Sequence, residues 1–182
     1  MDLGMTVFPS WQSTLISLLP AIGLPLAFAL FAWTLRAITA AAAFTGAFLA
    51  LILYLAAGPA ALLPVFAVFL LTFFSTRIGR RKKERLGTAE RHRGRGAAQI
   101  LANVSVAAIC AAPLIFRPHP RYILLAGASA ALAEAAGDTV SSELGQAFGG
   151  TPRLITTLRR VPTGSDGAIT LPGTIFAFAA AT

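Results

Sequence analysis

Charged residues are scarce in this chain, and their scarcity excludes a soluble protein. Only 12% of the 182 residues are Asp, Glu, Lys or Arg, whereas 56% are hydrophobic. A soluble domain of this size would carry about twice that charged fraction. We therefore expect one integral membrane domain over residues 1–182, built as an all-α, polytopic helical bundle.

Cysteine, histidine and nucleotide-binding loops are also rare or missing. Cys110 is the only cysteine, which excludes an internal disulfide. His92 and His119 lie far apart in the sequence, which argues against a metal site made with that thiol. No GxxxxGK(S/T) string is present, which excludes a P-loop enzyme. Asp2 is the only charge before Arg36, so the basic start of a signal peptide is absent and we expect the first apolar segment to remain as a helix.

Apolar sequence is abundant, in stretches long enough to cross a membrane. These stretches predict five to six transmembrane helices at about 13–35, 37–57, 60–76, 97–116, 122–143 and 168–182. Pro20, Gly23 and Pro25 are expected to kink or interrupt the first helix. The last stretch contains Pro172-Gly173 and is shorter than the roughly 20 residues that cross hydrocarbon. We therefore expect a re-entrant end there, or a helix that a longer relative would complete.

Basic residues fall almost entirely on one side of this helix order. They lie in the segments 77–96 and 146–167 and at Arg36, and only Arg117 and Arg121 lie on the other side. The positive-inside rule then predicts an outside N-terminus and a cytoplasmic 77–96 loop, in a plasma or inner membrane. Topology also explains the isoelectric point near 11.3, so we expect no nucleic-acid partner.

Acidic residues are few, yet three of them lie in or beside a membrane segment: Glu134, Asp138 and Glu143. An ionisable group at membrane depth costs so much free energy that it marks a functional site by default. With helical periodicity, Glu134, Asp138 and Ser142 share one face, while Thr139 and Glu143 share another about 140° away.

The angle between these faces limits what the acids can do together. Asp138 and Glu143 can converge only if the helix breaks, for which Gly137 is a plausible point, or else they serve different roles. Carboxylates with hydroxyls nearby suit Mg²⁺, a hard cation that prefers oxygen ligands and usually keeps waters. A buried hydrogen-bonding network between helices would use the same residue types, and the pattern leaves both interpretations open.

Cationic groups that could hold phosphate lie in the loop that follows these acids. Arg153, Arg159 and Arg160 offer paired N–H donors that can grip two phosphate oxygens. A tight turn beside them could face an anion with its backbone N–H groups, or be only a turn. That turn consists of Gly164, Ser165, Asp166 and Gly167.

Polar residues also begin the fourth apolar segment, at Arg95, Gln99 and Asn103. Gln99 and Asn103 are four residues apart and so share a helix face, where they either line a cavity or hydrogen-bond between helices. We separate Arg95 from the run RRKK at 80–83, which we attribute to topology and to attraction to anionic membrane lipids.

Four short strings, in order, give a resemblance to a known family. They are GRGAAQILAN at 94–103, DTVSSE at 138–143, PRLIT at 152–156 and VPTGSDG at 161–167, the last followed by Gly173-Thr174. Together, over 94–174, they resemble the motifs of a membrane family described as domain of unknown function 92, or the transmembrane protein 19 family. The best-understood branch of that family is the plant phytyl-phosphate kinase of tocopherol synthesis.

This resemblance implies a membrane-embedded isoprenoid phosphate kinase. A phosphoryl group would pass from a nucleoside triphosphate, with CTP as the expected donor, to a lipid isoprenyl monophosphate at the cytoplasmic face. Asp138 and Glu143 would be catalytic and would hold Mg²⁺. The groups expected to hold phosphates are Arg95, Arg153, Arg159 and the turn at 164–167. The polar residues expected to support them are Gln99, Asn103, Thr139 and Ser142.

Two other function classes fit the same sequence. A small membrane transporter would also use intramembrane acids and a first helix interrupted by proline and glycine. A non-catalytic membrane scaffold is the other alternative.

Overall fold

The computed structural model describes residues 10–89, 94–117 and 120–182, with side chains from residue 18 onward. In these ranges the chain forms seven α-helices and one small sheet. The helices are α1 (Ser10–Thr34), α2 (Ala40–Ala57), α3 (Leu62–Arg77), α4 (Arg80–Leu86), α5 (Ala97–Ala111), α6 (Arg121–Phe148) and α7 (Leu171–Ala181). Short 3-10 turns, Pro59–Ala61 and Ala112–Ile115, precede α3 and follow α5. The sheet pairs β1 (Arg153–Leu154) with β2 (Ala168–Ile169) in antiparallel register.

Within the described residues, four stretches are long and apolar enough to cross a membrane: Ala40–Ala57, Pro59–Arg77, Ala97–Ile115 and Arg121–Phe148. Two shorter apolar helices, Leu18–Thr34 and Leu171–Ala181, accompany them. Large apolar side chains such as Phe44, Ile109 and Phe178 are exposed on the outside of the bundle, as expected for surfaces that face lipid. The prediction of an all-α, polytopic membrane bundle is confirmed, apart from the small sheet, which the sequence pattern did not indicate.

The core lies between α2, α3, α5 and α6. Leu53, Val68, Val104 and Leu132 are buried in one cluster with a row of alanines from α5. Small side chains at helix contacts let backbones approach closely, and the resulting van der Waals contacts hold helices together in lipid. The alanine-rich sequence therefore positions the polar ends of these helices near one another.

α6 is one unbroken helix, so of the two alternatives for Asp138 and Glu143 the one that needed a break at Gly137 is excluded. Gly137 is buried where α7 packs against α6, and a Cβ placed on it would lie 3.3 Å from the carbonyl oxygen of Ala177. The two helices approach closely again at Gly145 and Gly173, where a Cβ on Gly145 would lie 3.4 Å from the Gly173 Cα. These glycines serve close helix packing, and the final apolar segment packs along α6.

Two other segments differ from the sequence-based expectation. α1 continues through Pro20 and Pro25 without interruption. The segment 77–96, expected as a loop, contains α4, and the residues that flank this helix, Gly79 and Gly87, adopt left-handed conformations with φ of 67° and 71°. The run RRKK therefore lies on an ordered helix next to the end of α3.

Candidate functional site

A cavity opens between α1, α2, α3 and α5. Its empty volume is about 1170 Å³, including the space at its mouth. Phe28, Val68 and Val104 contribute apolar side chains to the wall, and α2 contributes the small residues Ala42 and Gly46. Since larger side chains from α2 would occupy this space, its small residues keep the cavity open. The interior suits an apolar chain rather than a polar solute.

Arginines surround the mouth of this cavity. Arg36, Arg77, Arg80 and Arg95 all line it, together with the hydroxyl-bearing Thr76. Guanidinium groups keep their charge at any physiological pH and can grip two oxygens of one phosphate. The cavity is therefore apolar inside and has four guanidinium groups at its opening, of which that of Arg80 is paired with Glu84, Nε to Oε1 at 2.8 Å.

A short backbone pairing brings Arg36 and Arg95 to the same place. The Arg95 N–H donates to the Ala37 carbonyl at 3.0 Å, and the Thr39 N–H donates to the Arg95 carbonyl at 3.0 Å. Gly94 has a φ of 76°, and a Cβ there would lie 2.6 Å from the Ala37 oxygen, so only glycine fits. Arg36 itself has a φ of 54°. Such strain in a residue with a side chain is costly and clusters at functional sites.

Glu143 lies beside this mouth in a network of donors. Lys83 Nζ donates to Glu143 Oε2 at 2.6 Å, and Thr76 Oγ1 donates to Glu143 Oε1 at 3.1 Å. Arg95 Nη2 lies 3.6 Å from the same Oε1. The Lys83 side chain is 1% exposed, and Nζ also donates to the carbonyls of Ser75 and Thr76 at 3.0 and 2.8 Å. The network joins α3, α4, α6 and the segment that precedes α5, just beneath the mouth.

The lysines of α4 thus hold the fold together as well as carrying charge. Lys82 Nζ donates to the carbonyls of Ala147 and Gly149 at 3.0 and 3.1 Å, at the C-terminal end of α6. A cation is favourable there because the last carbonyls of a helix carry partial negative charge. Attraction to lipid headgroups cannot describe Lys83, because that side chain is buried inside the protein.

Asp138 has different surroundings from Glu143. Glu134, Asp138 and Ser142 lie on one exposed face of α6, as the helical spacing predicted, while Thr139 is buried. Because α6 is unbroken, Asp138 and Glu143 lie on different faces, about 7.5 Å apart along the helix axis. The structure does not bring these two predicted site residues together.

The two carboxylates also differ in their fit to Mg²⁺. Both oxygens of Glu143 already accept hydrogen bonds from protein donors, and two cationic side chains lie beside them, which disfavours a further cation. Asp138 is exposed, and Ser142 lies one turn further along the same face, so it fits a Mg²⁺ that takes its other ligands from water and phosphate. Within the described residues, no group of three or more Asp, Glu, His or Cys could hold a metal ion.

β1 and the loop that follows it carry the other predicted phosphate-binding residues. Arg153, Arg159 and Arg160 are exposed, and Arg153 Nη1, on β1, donates to the Leu158 carbonyl in the loop at 2.9 Å. Their role toward phosphate stays a prediction.

The sequence GSDG at 164–167 forms a tight turn in this loop. Gly164 and Gly167 have φ of 92° and 70°, and the Ser165 hydroxyl donates to the Pro162 carbonyl at 2.9 Å. A Cβ on Gly164 would lie 2.8 Å from a Thr88 side-chain methyl, and Thr88 precedes Ala89, which lines the cavity. The turn therefore adjoins the cavity mouth.

Gln99 and Asn103 have separate roles. Gln99 Oε1 accepts from the Gly96 N–H at 2.8 Å and so helps to cap the start of α5. Asn103 lines the cavity. The prediction that this polar pair lines a cavity is confirmed for Asn103. Gln99 instead caps its own helix.

Sequence reasoning missed several residues of the mouth. Arg36 gave a signal only as an isolated charge between two apolar segments, and Arg77, Arg80 and Lys83 were indistinguishable from their basic neighbours. Burial and pairing across the fold separate these side chains, and no local pattern encodes either.

Comparisons with known proteins match this chain to one family. The family model described as integral membrane protein DUF92 matches residues 23–182. The uncharacterized membrane protein sll0875 of Synechocystis is 40% identical over 72% of this chain and 52% of its own length. Protein VTE6, chloroplastic, of Arabidopsis thaliana is 32% identical over 96% of this chain and 52% of its own length.

A third relative, the uncharacterized membrane protein MJ0933 of Methanocaldococcus jannaschii, is 36% identical over 63% of this chain and 46% of its own length. The chain thus spans about half the length of the curated relatives it matches. No solved structure matches it. The family resemblance drawn from the four sequence strings is confirmed.

Proposed function

Because the chain belongs to the integral membrane protein DUF92 family, we propose that it is a membrane-embedded kinase-like protein that acts on a prenyl monophosphate. The observation that carries this proposal is the apolar cavity with four arginines at its mouth. A lipid monophosphate matches both parts, since its tail suits the apolar wall and its phosphate suits the guanidinium groups. The plant branch of the family that the motifs resemble, phytyl-phosphate kinase, acts on a molecule of this shape.

The proposed reaction is phosphoryl transfer. An oxygen of the bound lipid monophosphate forms a bond to the terminal phosphorus of a nucleoside triphosphate, the bond from that phosphorus to the nucleoside diphosphate breaks, and the products are a lipid diphosphate and a nucleoside diphosphate. Such reactions depend on positioning and on charge neutralisation. Arg36 and Arg95 would hold the acceptor phosphate, and Arg153 and Arg159 would hold the donor, with CTP as the expected nucleotide.

Asp138 is the residue that would hold Mg²⁺ for the donor. The ion, when bound, would neutralise and orient the triphosphate oxygens. Asp138 offers an exposed carboxylate for this purpose, and Ser142 stands one turn along the same face. We place Glu143 at the acceptor side instead, because its oxygens are already held by Thr76 and Lys83.

We place the cavity mouth at the cytoplasmic face, with the N-terminus outside, in a plasma or inner membrane. The positive-inside rule supports this, since Arg36, α4 and the loop between β1 and β2 carry most of the basic residues. In a variant with Cys110→Ala, a cysteine introduced by Arg85→Cys, on the exposed side of α4, should react with an impermeant maleimide only when the cytoplasmic side is accessible. If the maleimide labels this cysteine in intact cells, the cavity mouth faces outward and the proposed orientation is wrong.

The direct test is an assay of transfer. The purified protein, in detergent with Mg²⁺, is incubated with labelled CTP, ATP or GTP and a series of isoprenyl monophosphates, and the lipid product is analysed for diphosphate. We expect a labelled lipid diphosphate with at least one pair. If no pair gives product while the protein in liposomes moves solute in response to a pH gradient, the kinase proposal fails in favour of the transporter.

A further inference from the structure

A short hairpin after α6, residues 153–160, holds a leucine in a strained conformation. Leu158 has a φ of 55°, a left-handed value that is costly for a bulky side chain. The Leu158 N–H donates to the Leu154 carbonyl at 2.8 Å, and the Leu158 carbonyl accepts from Arg153 Nη1 at 2.9 Å. The Leu154 N–H donates in turn to the Arg159 carbonyl at 3.0 Å. The hairpin therefore fixes this conformation with hydrogen bonds on both sides of the strained residue.

Two large apolar side chains of this hairpin are exposed. Leu158 is 61% exposed and Ile155 is 63% exposed. A single exposed leucine on a protein surface is ordinary. One that is kept exposed by a strained backbone is maintained at a cost, and such strain clusters where a segment has a function.

The hairpin adjoins the part of the protein that faces lipid. β2, which pairs with β1, leads into α7 through a single residue, Thr170. α7 is one of the apolar helices, and its first residue, Leu171, is 75% exposed. The Ile155 N–H donates to the Gly167 carbonyl, immediately before β2, at 3.0 Å. These contacts place the hairpin at the level where the lipid-facing surface of α7 begins, which is the surface of the membrane.

The charge of the hairpin also suits a membrane surface. Arg153, Arg159 and Arg160 are all exposed on it. Apolar side chains that alternate with cations are typical of segments that lie in the interface of a bilayer containing anionic lipids. An anionic lipid surface therefore matches both the exposed apolar side chains and the charge.

We propose that the 153–160 hairpin is a membrane anchor that inserts Leu158 and Ile155 between the lipid headgroups and the acyl chains. The depth would be about 5–10 Å, as for other interfacial segments, with Arg160 at the level of the anionic headgroups. The strained conformation of Leu158 keeps its side chain available for insertion. This inference goes beyond the proposed function, since it requires no ligand in the cavity and no reaction.

The experiment measures contact with lipid by fluorescence quenching. In the full chain with Cys110→Ala, Leu158→Cys or Ile155→Cys is labelled with bimane and reconstituted in liposomes of phosphatidylcholine and phosphatidylglycerol. The phosphatidylcholine carries bromine, a short-range quencher, either near the headgroup or deep in the acyl chain. Phe178→Cys, on the lipid-facing surface of α7, is the control for lipid contact, and Arg85→Cys, on the exposed side of α4, is the control for water.

We expect bimane at both hairpin positions to lose at least about twofold more fluorescence than bimane at Arg85, and more with shallow bromine than with deep bromine. Leu158→Asn tests the role of the leucine, because asparagine tolerates the left-handed backbone but is not apolar. Combined with the Ile155 label, Leu158→Asn should reduce the quenching at least about twofold. Thr157→Asn, at the exposed neighbouring position, is the matched control and should leave the quenching unchanged.

Other results would overturn the proposal. Hairpin labels that are quenched no more than the Arg85 label would show that the hairpin lies in water. If bromine has no effect but the bimane signal changes with protein concentration in detergent, the hairpin contacts a second copy instead. Equal quenching with Leu158→Asn and Thr157→Asn would exclude an anchoring role for the leucine. Should the Leu158 variants fail to elute with the wild type in size-exclusion chromatography, the Ile155 label alone decides between lipid and water.

Discussion

Two carboxylates little more than one helical turn apart on α6 have opposite surroundings. Glu143 is closely paired with Lys83, hydrogen-bonded by Thr76 and approached by Arg95, whereas Asp138 is exposed on another face. A buried carboxylate that is paired with protein groups stabilises the fold, whereas an exposed carboxylate can bind a ligand. Two acids in one motif therefore need not share one metal ion.

The largest effect that tests this contrast is on stability. Lys83→Met should lower the free energy of unfolding by about 3–5 kcal/mol, because it leaves the carboxylate of Glu143 without its closest counter-charge. Asp138→Leu, on the exposed face of the same helix, should change it by less than about 0.5 kcal/mol. Denaturant titration in mixed micelles would measure both. Equal losses for the two variants would remove the distinction between the faces.

A smaller loss of unfolding free energy is expected where backbone hydrogen bonds hold Arg95 against the segment between α1 and α2. Gly94→Ala forces a Cβ to within 2.6 Å of the Ala37 oxygen at a positive φ, and should cost about 2–3 kcal/mol by disrupting this pairing. Gly96→Ala is the matched control in the same motif, since nothing lies within 4 Å of a Cβ there. In thermal unfolding, the midpoint temperature should fall for Gly94→Ala and stay at the wild-type value for Gly96→Ala.

Substitution of Asp138 is expected to have the smallest effect on stability. It should instead cause a specific loss of Mg²⁺-dependent nucleotide binding. Asp138→Asn should leave the free energy of unfolding within about 0.5 kcal/mol of the wild type but abolish Mg²⁺-dependent binding of a nucleoside triphosphate. Glu134→Gln, one turn away on the same face, should retain that binding. A larger binding defect for the Glu134 variant would reassign the metal site.

Helical periodicity was enough to predict which acids share a face. It grouped Glu134, Asp138 and Ser142 correctly because the residues within a helix fix their own relative directions. The resemblance added Arg95, which does line the cavity mouth. These predictions depend only on residues close together in the chain.

Contacts between distant segments were beyond sequence reasoning. Glu143 pairs with Lys83, sixty residues earlier in the chain, and a run of four basic residues gives no sign of which one is buried. Gly137 offered a point at which α6 could break, but α6 is continuous, and Ala177, which packs closely against Gly137, lies on another helix. Arg36 and Arg95 likewise lie close together only because the segment between α1 and α2 pairs, through backbone hydrogen bonds, with the segment that precedes α5.

The central claim is that one site holds an apolar tail and a phosphate together, and calorimetry with phytyl monophosphate and phytol tests it most directly. Arg36→Gln removes one mouth cation, and Arg117→Gln is the control, an exposed arginine outside the cavity lining. We predict that phytyl monophosphate binds at least about tenfold more tightly than phytol, and that Arg36→Gln, but not Arg117→Gln, removes most of this advantage. Equal affinity for the two lipids, or an advantage that survives Arg36→Gln unchanged, would contradict the account.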